Sequence, residues 1–189
     1  KRILDFVKKV GYKPNSVAKA LKEGKTNTIA YLVPDISNPF YGNIARKIER
    51  KLEDTPYQLI IGSTDESHEK EGKIIRNMLD RQADGFIIAS CNIRGEELSG
   101  LLQSNYPLVL FDRNDREVVA NYVIVESKHA IDEGIKFWLK TGIRKIGLLS
   151  ITPEISSLKD RIEGFRETIT GSGLDMNTEF IRTVDKDNL

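Results

Sequence analysis

From Thr28 onward the chain alternates between apolar runs of strand length and amphipathic stretches of helical period, and no other feature constrains its fold as strongly. The runs are Ile29 to Val33, Gln58 to Ile61, Gly85 to Ala89, Leu108 to Phe111, Tyr122 to Val125 and Lys145 to Leu149. Between them Phe40, Ile44, Ile48 and Leu52 repeat every fourth residue, Ile74, Ile75, Met78 and Leu79 form a second stripe, and Ile131, Ile135, Trp138 and Leu139 a third. Most strand starts lie 23 to 29 residues apart, the spacing of βαβ units, whose crossovers force a parallel sheet covered on both faces. The expected fold class is therefore α/β, a doubly wound parallel sheet. A last amphipathic helix, marked by Leu158, Ile162, Phe165 and Ile169, stops at Gly171 or Gly173, and the chain ends before another full unit can form.

Composition excludes several classes. A hydrophobic fraction of 39% with 30% charged residues is that of an ordinary globular protein, and no run of apolar residues is long enough to cross a bilayer. No basic segment leads into an apolar stretch with a small-residue cleavage site, which points away from export and toward the cytoplasm. The single cysteine, Cys91, cannot form an intramolecular disulfide, and reads more simply as a small packed residue than as a reactive one. The net charge of +1 hides an asymmetry: the first 25 residues hold eight Lys or Arg against Asp5 and Glu23, so the remainder is acidic. A short basic module ahead of a mildly acidic body suits contact with a polyanion, although solvated surface lysines would look the same.

That basic module has its own pattern. Ile3, Phe6, Val7 and Val10 share a helical face that stops at Gly11, so the first residue is not expected to be a natural start. After Pro14, Asn15 can cap a second short helix through Val17, Ala18 and Leu21 that ends near Gly24. A helix this short does not persist alone in water and needs a partner surface.

In an open parallel sheet, ligands bind beyond the carboxyl ends of the strands. Those ends carry Asp35, Ser37, Asn38, Phe40 and Tyr41 after the first strand, Ser63 to Asp65 after the second, and Ser90 to Asn92 after the third. Asp112-Arg113 and Glu126-Ser127 follow the fourth and fifth. Aromatic faces beside carboxylates and amides suit a sugar, though polar residues end strands in any such sheet. Gly24-Lys25-Thr26 lacks the first glycine of a phosphate loop and precedes a strand instead of following one. No Gly-rich dinucleotide fingerprint or nucleophile elbow appears, so no cofactor is expected. His68 and His129 have no partner at ligand spacing, so neither is expected to bind a metal and both read as exposed helix residues. A carboxylate such as Asp65 or Asp112 at a strand end is no catalytic signature by itself.

Two adjacent stretches, Tyr12 to Lys22 (YKPNSVAKALK) and Ile29 to Tyr41 (IAYLVPDISNPFY), resemble the headpiece-to-core join and the first core strand of repressors of the LacI/GalR family. RQADGFIIAS, PLVLFDR and RIEGF, the last spanning Arg161 to Phe165, fit the same family, so the likeness covers nearly the whole chain. It implies a core like that of periplasmic sugar-binding proteins, with residues 1–14 ending a helix-turn-helix headpiece and 15–27 forming a hinge helix and linker. Residues 28–150 would then form the first lobe and 151–189 the start of a second. It further implies a homodimeric repressor whose grip on operator DNA is controlled by a small-molecule effector, a sugar or sugar phosphate. The implied DNA-binding residues are Asn15, Val17, Ala18, Lys19, Leu21 and Lys22, with Leu21 as the apolar wedge in the minor groove. The implied effector ligands are Asn38, Phe40, Tyr41, Ser90, Asp112 and Arg161. The family usually has Asp-Asn after the fifth strand and Gly-His before the sixth; Glu126-Ser127 and Gly142-Ile143 stand there instead. The alternatives are a solute-binding protein of a transport system, without DNA binding, and a sugar-processing enzyme using Asp112.

Overall fold

The computed structural model describes residues 22–115, 117–151, 155–174 and 181–184. Five strands, β1 (Thr28–Val33), β2 (Gln58–Ser63), β3 (Gly85–Ile88), β4 (Leu108–Phe111) and β5 (Tyr122–Val123), form one sheet in the order β2-β1-β3-β4-β5. Every pair is parallel. Helices α1 (Pro39–Leu52), α2 (His68–Asp80) and α3 (Glu96–Gln103) connect the first four strands.

Strand β1 shows why the sheet is covered on both faces. Its side chains alternate, so Ala30 and Leu32 join a cluster with Ile75, Phe86, Leu98 and Leu110, while Tyr31 and Val33 join Tyr41, Ala45 and Phe111 on the other side. All four of these β1 residues are fully buried. The chain leaves β1 toward β2 and then returns to the other side for β3, so β1 and β3 are neighbours whose connections depart in opposite directions. A crevice at the carboxyl ends follows from that reversal.

Local chemistry starts the helices. The Asn38 side chain accepts from Phe40 N at 3.0 Å and Pro39 occupies the first turn of α1, where its missing N–H costs nothing. Ser67 caps α2 by accepting from Lys70 N at 3.2 Å.

The remainder forms a second unit. Strands β6 (Leu148–Ile151) and β7 (Ile181–Val184) pair in parallel, with helices α4 (Ser127–Lys140) and α5 (Ser156–Gly171) packed on them. Ile135, Ile146, Phe165 and Ile169 are its buried core. The family likeness implies a first lobe that runs from 28 to 150; the packing instead joins α4 and β6 to the second unit. A βα unit that changes sheets keeps the same hydrophobic period, so the change leaves no mark in the sequence. Strand β5 is also shorter than its apolar run, with Val123 and Val125 exposed at the sheet edge. Gly164 explains one motif physically: a Cβ there would lie 3.0 Å from Lys128 Cα, so a side chain would push α4 and α5 apart.

Candidate functional site

The carboxyl ends of β3 and β4 and the first turns of α5 enclose a cavity of about 560 Å³. Ser90 to Arg94 form one wall, Arg113 to Asp115 a second, and Ile155, Ser156, Lys159, Asp160 and Glu163 the third. The α5 residues from Ser156 recur at helical spacing and so present one face. The two units touch here, with Asn114 N donating to Ser156 Oγ at 3.0 Å.

Beneath the cavity lies a buried polar network. Glu71, on the same face of α2 as Ile75, is only 2% exposed, and its carboxylate accepts from Ser90 Oγ at 2.6 Å and Cys91 N at 2.8 Å. Burial first, and then the Glu71 charge, push the Cys91 thiol up to about 12, so it stays protonated and unreactive at neutral pH. Arg113 is 4% exposed and meets Glu66 through both terminal nitrogens, at 2.7 and 2.6 Å. Burial opposes that charge, but the Glu66 hydrogen bonds and neighbouring anions prevail and raise the guanidinium above its ordinary value.

A second cluster stands beside it. Tyr41 Oη donates to Asp112 Oδ2 at 2.9 Å, and Tyr31 Oη donates to the Tyr41 carbonyl at 2.9 Å. Phe111 stacks on Tyr31 and meets Tyr41 edge-on, which fixes both rings. Burial and then the Asp112 charge raise the Tyr41 phenol, so it remains a donor at all physiological pH. Asp112 sits at φ +64°, with Asp65 and Glu66 at +52° and +57°.

The structure thus joins Tyr41 to Asp112 and brings Ser90 into the cavity wall. Asn38 caps α1 and Phe40 lies half-exposed on its first turn, and neither lines the cavity. Arg161 is exposed, on a different face of α5 from the lining residues. Among the candidate DNA-binding residues, Lys22 is exposed in the last helical turn before Gly24, whose φ of +65° ends it. Asn15, Val17, Ala18, Lys19 and Leu21 lie outside the described residues. Sequence reasoning placed Arg113 at a strand end without giving it a role, and missed Glu66 and Glu71. Only Glu71 left a signal, a charged residue four positions before the buried Ile75.

The linker is fastened at the opposite end of the sheet. Asp84, just before β3, accepts from Thr26 N at 3.2 Å and Thr28 N at 3.3 Å, and Thr26 Oγ1 donates to the Gln82 carbonyl at 2.7 Å. Strands β1 and β3 therefore run from this fastening to the crevice. Among the described residues, no three His, Cys, Asp or Glu could hold a metal ion, and no helix is long and apolar enough to cross a membrane.

Two α/β units thus meet at a polar cleft beyond the strand ends of the first. The model of the family described as "Periplasmic binding proteins and sugar binding domain of LacI family" matches residues 26–188, and the chain belongs to that family. Catabolite control protein A of Priestia megaterium is 32% identical over 183 residues, covering 96% of this chain and 55% of that protein. The HTH-type transcriptional regulator RegA of Clostridium saccharobutylicum is 29% identical over 182 residues, with similar coverage. The chain thus spans about half the length of these relatives. A solved LacI-family transcriptional regulator from Silicibacter pomeroyi superposes with a TM-score of 0.76 at 31% identity, over 96% of this chain and 54% of the other. The Cra dual regulator of Pseudomonas putida, solved in complex with fructose 1-phosphate, gives 0.71 at 26% identity, over 84% and 57%.

Proposed function

We propose that the chain is the sensing part of a DNA-binding transcriptional repressor, whose operator affinity is set by a sugar or sugar phosphate held in the cavity. One observation carries the reading: the same two central strands, β1 and β3, reach the crevice at one end and hold the linker at the other through Asp84. A ligand that shifts the cavity walls can shift the linker, and a basic segment precedes that linker. The named relatives, regulators of transcription, and the sugar phosphate bound to one solved neighbour support the same reading.

Residues 15–23 act as a hinge helix in this proposal. Asn15 caps it, Val17 and Ala18 let two hinges of a homodimer approach, Leu21 wedges into the minor groove, and Lys19 and Lys22 meet phosphates. Operator DNA orders a helix too short to persist alone, and an effector that moves the paired hinges removes that support. Ser90 and Asp112 serve as hydrogen-bonding groups for the effector, with Tyr41 orienting Asp112. Binding without turnover is the activity, and the cytoplasm, where the DNA lies, is its place.

The test is operator binding by the intact protein. Leu21→Ala is expected to weaken specific binding by about ten-fold or more while sparing non-specific binding, and Lys22→Ala to flatten the salt dependence by about one charge. Equal losses on both DNAs would remove the wedge role. No DNA binding at any salt concentration would favour a pure solute-binding protein.

A further inference from the structure

We infer that α1 carries a second contact with DNA: the basic face of its last turns, Arg46, Lys47, Arg50 and Lys51, lies against backbone phosphates that flank the operator. The inference rests on the DNA-binding reading above and adds to it a surface of the core itself. Helix α1 begins at the carboxyl end of the sheet, after β1, and runs back to the amino end, where β2 starts. There Gln58 N donates to the Asn27 carbonyl at 2.8 Å, so the last turns of α1 and the linker stand at the same end of the molecule. The opposite end gathers Asp65, Glu66, Asp112 and Asp115, which repel a polyanion.

Arg46 with Arg50, and Lys47 with Lys51, are spaced four apart and share one side of the helix. All four are exposed, and none has a side-chain partner among the described residues. The acids of the same turns stand apart from them, since Glu49 and Glu53 line a groove with Leu52, Tyr57 and Leu59 against β2. The helix dipole favours Arg50 and Lys51 in the last turn, but its reach does not extend to Arg46 and Lys47 one turn earlier. Like charges four apart repel, so the stripe weakens the isolated helix, and an array of phosphates reverses that cost.

The experiment measures binding of the intact protein, across salt concentrations, to the DNA it selects from a randomised pool and to a random duplex. Replacing all four cations by Gln is expected to weaken both by about ten-fold or more and to lower the salt slope by about two. Trimming the flanks of the selected duplex is expected to weaken the unaltered protein and not the variant. A melting curve establishes folding, and Arg46→Gln with Arg50→Gln is the milder version. Its control, Lys73→Gln with Lys140→Gln, removes the same charge elsewhere; an equal loss there reduces the effect to net charge and overturns the inference. Unchanged affinity and salt slope in the folded variant overturn it too and leave the operator reading standing. A variant that separates into monomers on dilution where the unaltered protein does not assigns the stripe to a contact between copies, and also overturns it. No DNA binding by the unaltered protein at any salt concentration overturns both the inference and the reading beneath it.

Discussion

The two ends of the five-stranded sheet are built from opposite chemistry. At the carboxyl ends, the carboxylate of Glu71 and the guanidinium of Arg113 are almost wholly out of water. At the amino ends, the half-buried Asp84 accepts two backbone N–H groups and holds the linker beside Asn27 and Gln82, left-handed at +56° and +57°. Burying charge is costly unless every group is matched, so the carboxyl end spends stability on a preorganised cleft. The amino end buries no charge as deeply, and the proposed signal to the linker would pass through this lighter connection.

If that contrast is real, breaking each end should have unequal consequences. Glu71→Ala strands the Ser90 hydroxyl and Cys91 N–H and is expected to cost about 3 kcal/mol in denaturant unfolding, with Glu71→Gln milder. A loss under half of that would show the network to be dispensable. Asp84→Ala is expected to cost about 1 kcal/mol, leave sugar affinity unchanged, and blunt the effect of sugar on operator binding. An undiminished response would sever the proposed link between the ends. The smallest effect belongs to the exposed rim of the cavity. Hydrogen bonding from Arg94 holds the Asp115 carboxyl below its usual range. A group depressed in this way contributes above its unfolded value and loses that contribution as pH falls through its folded one. Carboxyl titration by NMR is expected to place Asp115 below its ordinary value, and Arg94→Gln to return it upward with no measurable change in melting temperature.

Periodicity made most of the fold legible, since alternation along β1 and the helical stripes report burial directly. The change of unit at α4 was not legible, because Ile131, Ile135 and Leu139 have the same spacing whichever sheet they cover. Of the candidate residues read from strand ends and from the family likeness, Ser90 lies in the cavity wall, while Tyr41 and Asp112 form the cluster beside it. Glu66 and Arg113 meet across 47 residues of chain, and spacing carries no trace of such a pair. The RIEGF motif has a packing explanation in Gly164, while Arg161 beside it stays exposed.

The most direct test measures operator affinity by fluorescence anisotropy, with the intact protein on the DNA it selects from a randomised pool. It is run with and without the sugar that most raises the melting temperature. The account predicts a change of about five-fold or more that Asp112→Ala abolishes without weakening DNA binding itself. Saturating sugar that leaves the operator affinity of the unaltered protein the same would contradict it.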